Sequence, residues 1–109
     1  MLEDAVAAIV AAGFRPGEDV ALAVDVASSH FYQGGRYQLG AESLDSSAMI
    51  EQLARWTSQY PIVSIEDGLA EDDWTHWPEL TQRLGARALV VGDDFLCTNP
   101  GRIRRAIET

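Results

Sequence analysis

The strongest constraint on the fold of this chain is an alternation. A helix-period segment followed by a short β-rich run occurs three times, and a fourth helical segment closes the sequence. Such alternation is the mark of βα units around a parallel sheet. No internal sequence repeat, low-complexity tract or Pro/Gly/Ser-rich linker interrupts it. The expectation is therefore one α/β domain over residues 1–109, in the order α-β-α-β-α-β-α.

The segments are readable one by one. The first helix spans about Leu2 to Ala12, with Glu3 and Asp4 at its positive end, a stripe of Leu2, Val6, Ile9 and Val10, and Gly13 to end it. Pro16-Gly17 turns the chain into a strand, Val20 to Val26, with Ala21, Ala23 and Asp25 on one face and Leu22, Val24 and Val26 on the other. Phe31 to Leu39 reads as a β-hairpin about Gly34-Gly35, inserted in a loop. Asp45 or Ser46 caps the next helix, in which Met49, Leu53 and Trp56 have core spacing, and Pro61 stops it. The second strand is Ile62 to Glu66, with Ser64 and Glu66 opposite Val63 and Ile65. After an acidic loop, Thr75 is expected to cap a helix with Pro78 in its first turn, Leu80 and Leu84 inward and Gly85 at its end. The third strand is Ala88 to Asp93, with Leu89, Val91 and Asp93 on one face, and Asn99-Pro100 starts the last helix.

Composition narrows the function. With 47% hydrophobic and 23% charged residues the chain is an ordinary folded protein rather than a disordered one. Its longest apolar run, Ala5 to Phe14, falls short of the about 20 residues a bilayer demands. The acidic start lacks the basic region of a secretory signal, so the expected address is the cytoplasm, with no membrane partner. Cys97 is the only cysteine, which excludes an internal disulfide and a thiolate metal cluster. A net charge of −9 argues against nucleic acid as partner. Arg102, Arg104 and Arg105 are the one basic cluster, expected to be a solvated helix face. Such a protein binds an anionic substrate when a divalent cation stands between them.

Asp25, Glu66 and Asp93 each end one of the three strands. Strand ends of a parallel sheet lie at one edge, where α/β folds place their sites. Neighbouring strands would bring the carboxylates within roughly 5 to 8 Å of one another. At ~6 Å and an effective dielectric of ~20, three such pairs repel by about 8 kcal/mol in total. Arg36, Arg55 and Arg87, the nearest bases, belong to the hairpin, a helix and the far end of a strand. Protons or a cation must relieve the repulsion, and an all-oxygen donor set suits Mg²⁺. Asp67 and Asp94, one residue further on, alternate to the opposite face and are expected to hydrogen-bond loop backbone. Asp94 is the candidate for a place just behind the metal ligands.

Three segments carry a resemblance: Leu22-Ala23-Val24-Asp25-Val26-Ala27-Ser28-Ser29, Tyr60-Pro61-Ile62-Val63-Ser64-Ile65-Glu66-Asp67-Gly68-Leu69, and Val91-Gly92-Asp93-Asp94 with Thr98-Asn99-Pro100. In wording, order and spacing they closely resemble enolase, from about Val6 onward. The resemblance implies part of an enolase-type TIM-like barrel, an incomplete domain of about three βα units and about a quarter of a full-length enolase. It implies Mg²⁺-dependent interconversion of 2-phosphoglycerate and phosphoenolpyruvate plus water, the phosphopyruvate hydratase step of glycolysis. Asp25, Glu66 and Asp93 match the family's magnesium ligands, and Glu66 and Asp93 also lie beside the substrate there. Removing a proton next to a carboxylate creates a doubly negative aci-carboxylate, which concentrated positive charge makes accessible.

The resemblance also implies what is missing. The family's base is a lysine on the strand after Asp93, and all eight basic residues here are arginine. Its acid, its second-metal loop, its substrate histidine and its other lysine correspond to positions outside Met1–Thr109, so the chain is expected to be a fragment or truncated product, inactive alone. His30 stands where the family usually has glutamate and is expected to be a hairpin or surface residue, and His76 to be structural. Two other readings compete. One is an acid-sugar dehydratase or racemase of the same superfamily. The other is an interaction module that pairs through open sheet edges, giving a homo-oligomer or self-association.

Overall fold

The computed structural model describes residues 1–109. Its elements, in chain order, are α1 (Leu2–Ala11), β1 (Leu22–Asp25), a 3₁₀ turn (Ser28–Phe31), β2 (Tyr32–Gln33), β3 (Arg36–Leu39), β4 (Glu42–Leu44), α2 (Ser46–Gln59), β5 (Ile62–Glu66), α3 (Trp77–Leu84), β6 (Leu89–Val91) and α4 (Pro100–Glu108). Strands β1, β5 and β6 form a parallel sheet in the order β1-β5-β6, and β2, β3 and β4 form a separate antiparallel sheet. This is the α/β arrangement of part of a TIM-type barrel, with the expected insertion between the first strand and the second helix.

Local chemistry accounts for most boundaries. The Asp45 carboxylate caps α2 by accepting the Ala48 N–H at 2.8 Å. Pro61 forces Tyr60 into extended backbone (φ −125°, ψ 154°), and α2 ends there. Asn99 Oδ1 accepts from the N–H groups of Gly101 and Arg102, and Pro100 opens α4. The sheet packs one face against helices: Ile65 is fully buried, and Val24 and Val90 lie against a core built by Met49, Ile50 and Leu53 of α2 with Leu80 and Leu84 of α3. Each fully buried aliphatic side chain contributes about 1.5–3 kcal/mol. The other face, with Ala23, Asp25, Ser64, Glu66, Leu89 and Val91, has no helix over it; Leu89 is 72% exposed.

Four expectations need correction. The third strand stops at Val91, two residues before Asp93, because the chain bends at Asp93 and turns through residues 94–98. The hairpin begins at Tyr32, since Phe31 closes a 3₁₀ turn, and gains a third strand, β4, after Gly40 takes a left-handed turn (φ +62°). Thr75 does not cap α3. That helix starts at Trp77, and the Asp73 carbonyl accepts the His76 and Trp77 N–H groups. Finally, α4's basic face is not simply solvated: Arg102 reaches the Phe95 carbonyl, the Glu71 carbonyl and the Asp72 carboxylate, and Arg105 lies 4.0 Å above the Trp74 ring.

Candidate metal centre

Cross-strand register fixes the first two acids. Asp25 is paired with Glu66, and Glu66 with Val91, so the ends of β1 and β5 are level while Asp93 sits one strand period beyond β6. One Asp25 oxygen accepts the Ala27 N–H at 3.0 Å, closing a tight turn as β1 ends. Glu66 is half-buried, and Asp25 and Asp93 are exposed on the open face's rim. Partial desolvation, then the charges of Asp25, Asp67, Asp93 and Asp94, push the Glu66 carboxyl above the usual carboxylate range. None of the chain's six ion pairs involves these acids.

Carboxylate oxygens of Asp25, Glu66 and Asp67 all lie within 4.8 Å of one another. Asp93 is not part of this tight group, although its charge is felt at Glu66. Simple alternation would send Asp67 to the opposite face; instead its backbone is left-handed (φ +45°), which turns the residue back beside Glu66. The Asp-Gly pair at 67–68 was the available clue, because aspartate tolerates this conformation better than most residues. The second half of the expectation holds. Asp67 Oδ1 accepts the Asp93 and Phe95 N–H groups at 3.0 and 3.3 Å, and Oδ2 accepts the Asp94 N–H at 2.9 Å.

The donor set fits a hard divalent ion. It is all oxygen and uncompensated by any arginine. The arrangement offers anionic oxygens on an open rim.

A family model described as the enolase C-terminal TIM barrel domain matches residues 1–109. The chain belongs to that family. No helix is long and apolar enough to cross a membrane. His30 lies exposed at the 3₁₀ turn, away from the tight group. His76, from α3's entry, bonds through Nδ1 to Asp73 at 2.6 Å, three residues earlier.

Proposed function

We propose that this chain furnishes the magnesium cradle of an enolase-type reaction, the interconversion of 2-phosphoglycerate and phosphoenolpyruvate plus water. The observation that carries the reading is the level pairing of Asp25 with Glu66 at the strand ends, without a cation to neutralise them. Asp25, Glu66 and Asp93 would hold Mg²⁺, Asp93 approaching through its exposed side chain from the turn after β6. The ion supplies positive charge for the carboxylate that grows more negative as the neighbouring proton leaves. Glu66 and Asp93 then border the phosphorylated hydroxy acid. The resemblance assigns proton removal to a lysine, and this chain has none.

Isothermal titration with MgCl₂ tests the cradle. Glu66→Gln and Asp25→Asn are each expected to weaken uptake at least about tenfold, through the loss of one anionic ligand. Unchanged uptake in both would overturn the proposal. Given 2-phosphoglycerate and Mg²⁺, the chain alone is expected to form no enol product above background absorbance.

A second reading is favoured by the sheet itself. β1 and β6 are both edges, and Leu89 and Val91 are exposed beside the β6 edge. Self-association through these edges is compatible with the metal cradle and is taken up below.

A further inference from the structure

Asp67 stands at the centre of the rim without being free to act there. It is 4% exposed, and it ties three chain segments together. Its N–H donates to the Val91 carbonyl at 2.9 Å, holding the end of β6. Its carbonyl accepts the Ser28 N–H at 3.1 Å, holding the turn that follows β1. Its carboxylate accepts three successive N–H groups, from Asp93, Asp94 and Phe95. Successive amides converging on one anion form a nest, and their dipoles compensate the charge that no arginine neutralises.

Proximity alone would make Asp67 a third metal ligand, since its oxygen lies within 4.8 Å of those of Asp25 and Glu66. The amide contacts point the other way. Oδ1 already accepts two N–H groups and Oδ2 one, and turning the group toward a cation would release amides that are buried or part-buried, which is costly. Asp93 has no strand to hold it, because β6 ends two residues earlier.

We propose that Asp67 is a positioning residue: its carboxylate clamps the backbone of residues 93–95 and so sets where the Asp93 side chain meets Glu66. This rests on the magnesium reading above only for its consequence, while the clamp itself is a property of the metal-free chain. Asp67→Asn keeps the shape but replaces one acceptor oxygen with a donor nitrogen that faces N–H groups.

The test combines amide hydrogen exchange with Mg²⁺ titration. In metal-free Asp67→Asn, exchange at Asp93, Asp94 and Phe95 is expected to accelerate at least about tenfold. Mg²⁺ affinity is expected to fall about 10–100-fold, as when other supports of metal ligands are removed. Glu66→Gln should weaken Mg²⁺ uptake and leave exchange at 93–95 unchanged. If Asp67→Asn lowers Mg²⁺ uptake while exchange at those amides stays at the wild-type rate, Asp67 is a ligand and the proposal is overturned. Should the variant fail to fold, exchange in the wild type decides: amides 93–95 protected without metal support the clamp, and unprotected amides refute it. Absence of Mg²⁺ uptake by the wild type removes the metal reading, and the exchange result still stands or falls by itself.

Discussion

Tyr37, Ser46 and His76 come from β3, the first turn of α2 and the entry to α3, and all three end on the carboxylate of Asp73. Ser46 Oγ donates at 2.5 Å and Tyr37 Oη at 3.2 Å to one oxygen, and His76 Nδ1 lies 2.6 Å from the other. The Tyr37 hydroxyl also accepts the buried Ala70 N–H at 3.0 Å. Burial and the Asp73 charge push the Tyr37 hydroxyl far above its ordinary value, so it remains a donor. Burial acts to raise the Asp73 carboxyl, but the bonds from Ser46 and His76 outweigh it and hold it below the usual 3.8. The folded value is lower than the unfolded one, so the native state binds fewer protons in acid. Asp73 therefore contributes stability above about pH 4 and loses it as pH falls through the folded value. Asp73→Asn is expected to cost about 1.5–3 kcal/mol at neutral pH, the range for hydrogen bonds to a charged group. Urea midpoints measured downward from neutral pH should show the gap to wild type narrowing only in the acid range. A constant gap would mean that the charge contributes nothing.

At the scale of elements, one residue ties α4 to the rest of the fold. None of its residues is fully buried, yet Arg102 donates to the Phe95 and Glu71 carbonyls and the Asp72 carboxylate and lies over the Trp74 ring at 5.0 Å. Lysine cannot reproduce that fork. Arg102→Lys is expected to destabilise the chain by about 1–2 kcal/mol and to raise exchange in α4 before the rest of the fold. Gly68 poses a different constraint, with no unusual backbone. A Cβ there would meet Leu53 Cδ1 at 3.0 Å and Ile65 Cγ2 and Leu80 Cδ2 at 3.1 Å, where β5, α2 and α3 close together. Gly68→Ala is expected to cost about 1–3 kcal/mol by overpacking, read as a lowered thermal midpoint.

Much of this level was legible from local pattern. β5 begins and ends where alternation and Pro61 place it, and Asp45 and Asn99 cap the helices they precede. What escaped depends on contacts across the fold. Arg102 looked like surface charge because its partners at 71, 72 and 95 are distant or backbone groups. Thr75 looked like a cap because its type favours capping, whereas the Asp73 turn starts α3 instead. At the candidate site, Asp25 and Glu66 were legible from period-2 alternation. The Asp67 clamp was only half legible, because a left-handed residue breaks that alternation.

For the whole molecule the governing fact is a parallel sheet of three strands with two open edges and one uncovered face. Barrel sheets avoid this by closing on themselves, and an open edge offers unpaired N–H and C=O groups to any strand that arrives. Leu89, 72% exposed on β6, adds apolar surface at that edge. Opposing contact is a net charge of −9 on a chain of 109 residues. That repulsion is screened by salt, with a Debye length of about 10 Å at 0.1 M and about 3 Å at 1 M. Association through the β6 edge should therefore increase with sodium chloride, the reverse of an assembly held by ion pairs. Leu89→Lys puts a solvated charge on the edge strand and is expected to return the chain to monomer in high salt, with its secondary structure unchanged. Sedimentation velocity across a salt series separates the outcomes. A monomer at every salt concentration would mean that charge and the short edge strands suffice to protect the sheet, while salt-promoted association insensitive to Leu89→Lys would place the contact elsewhere.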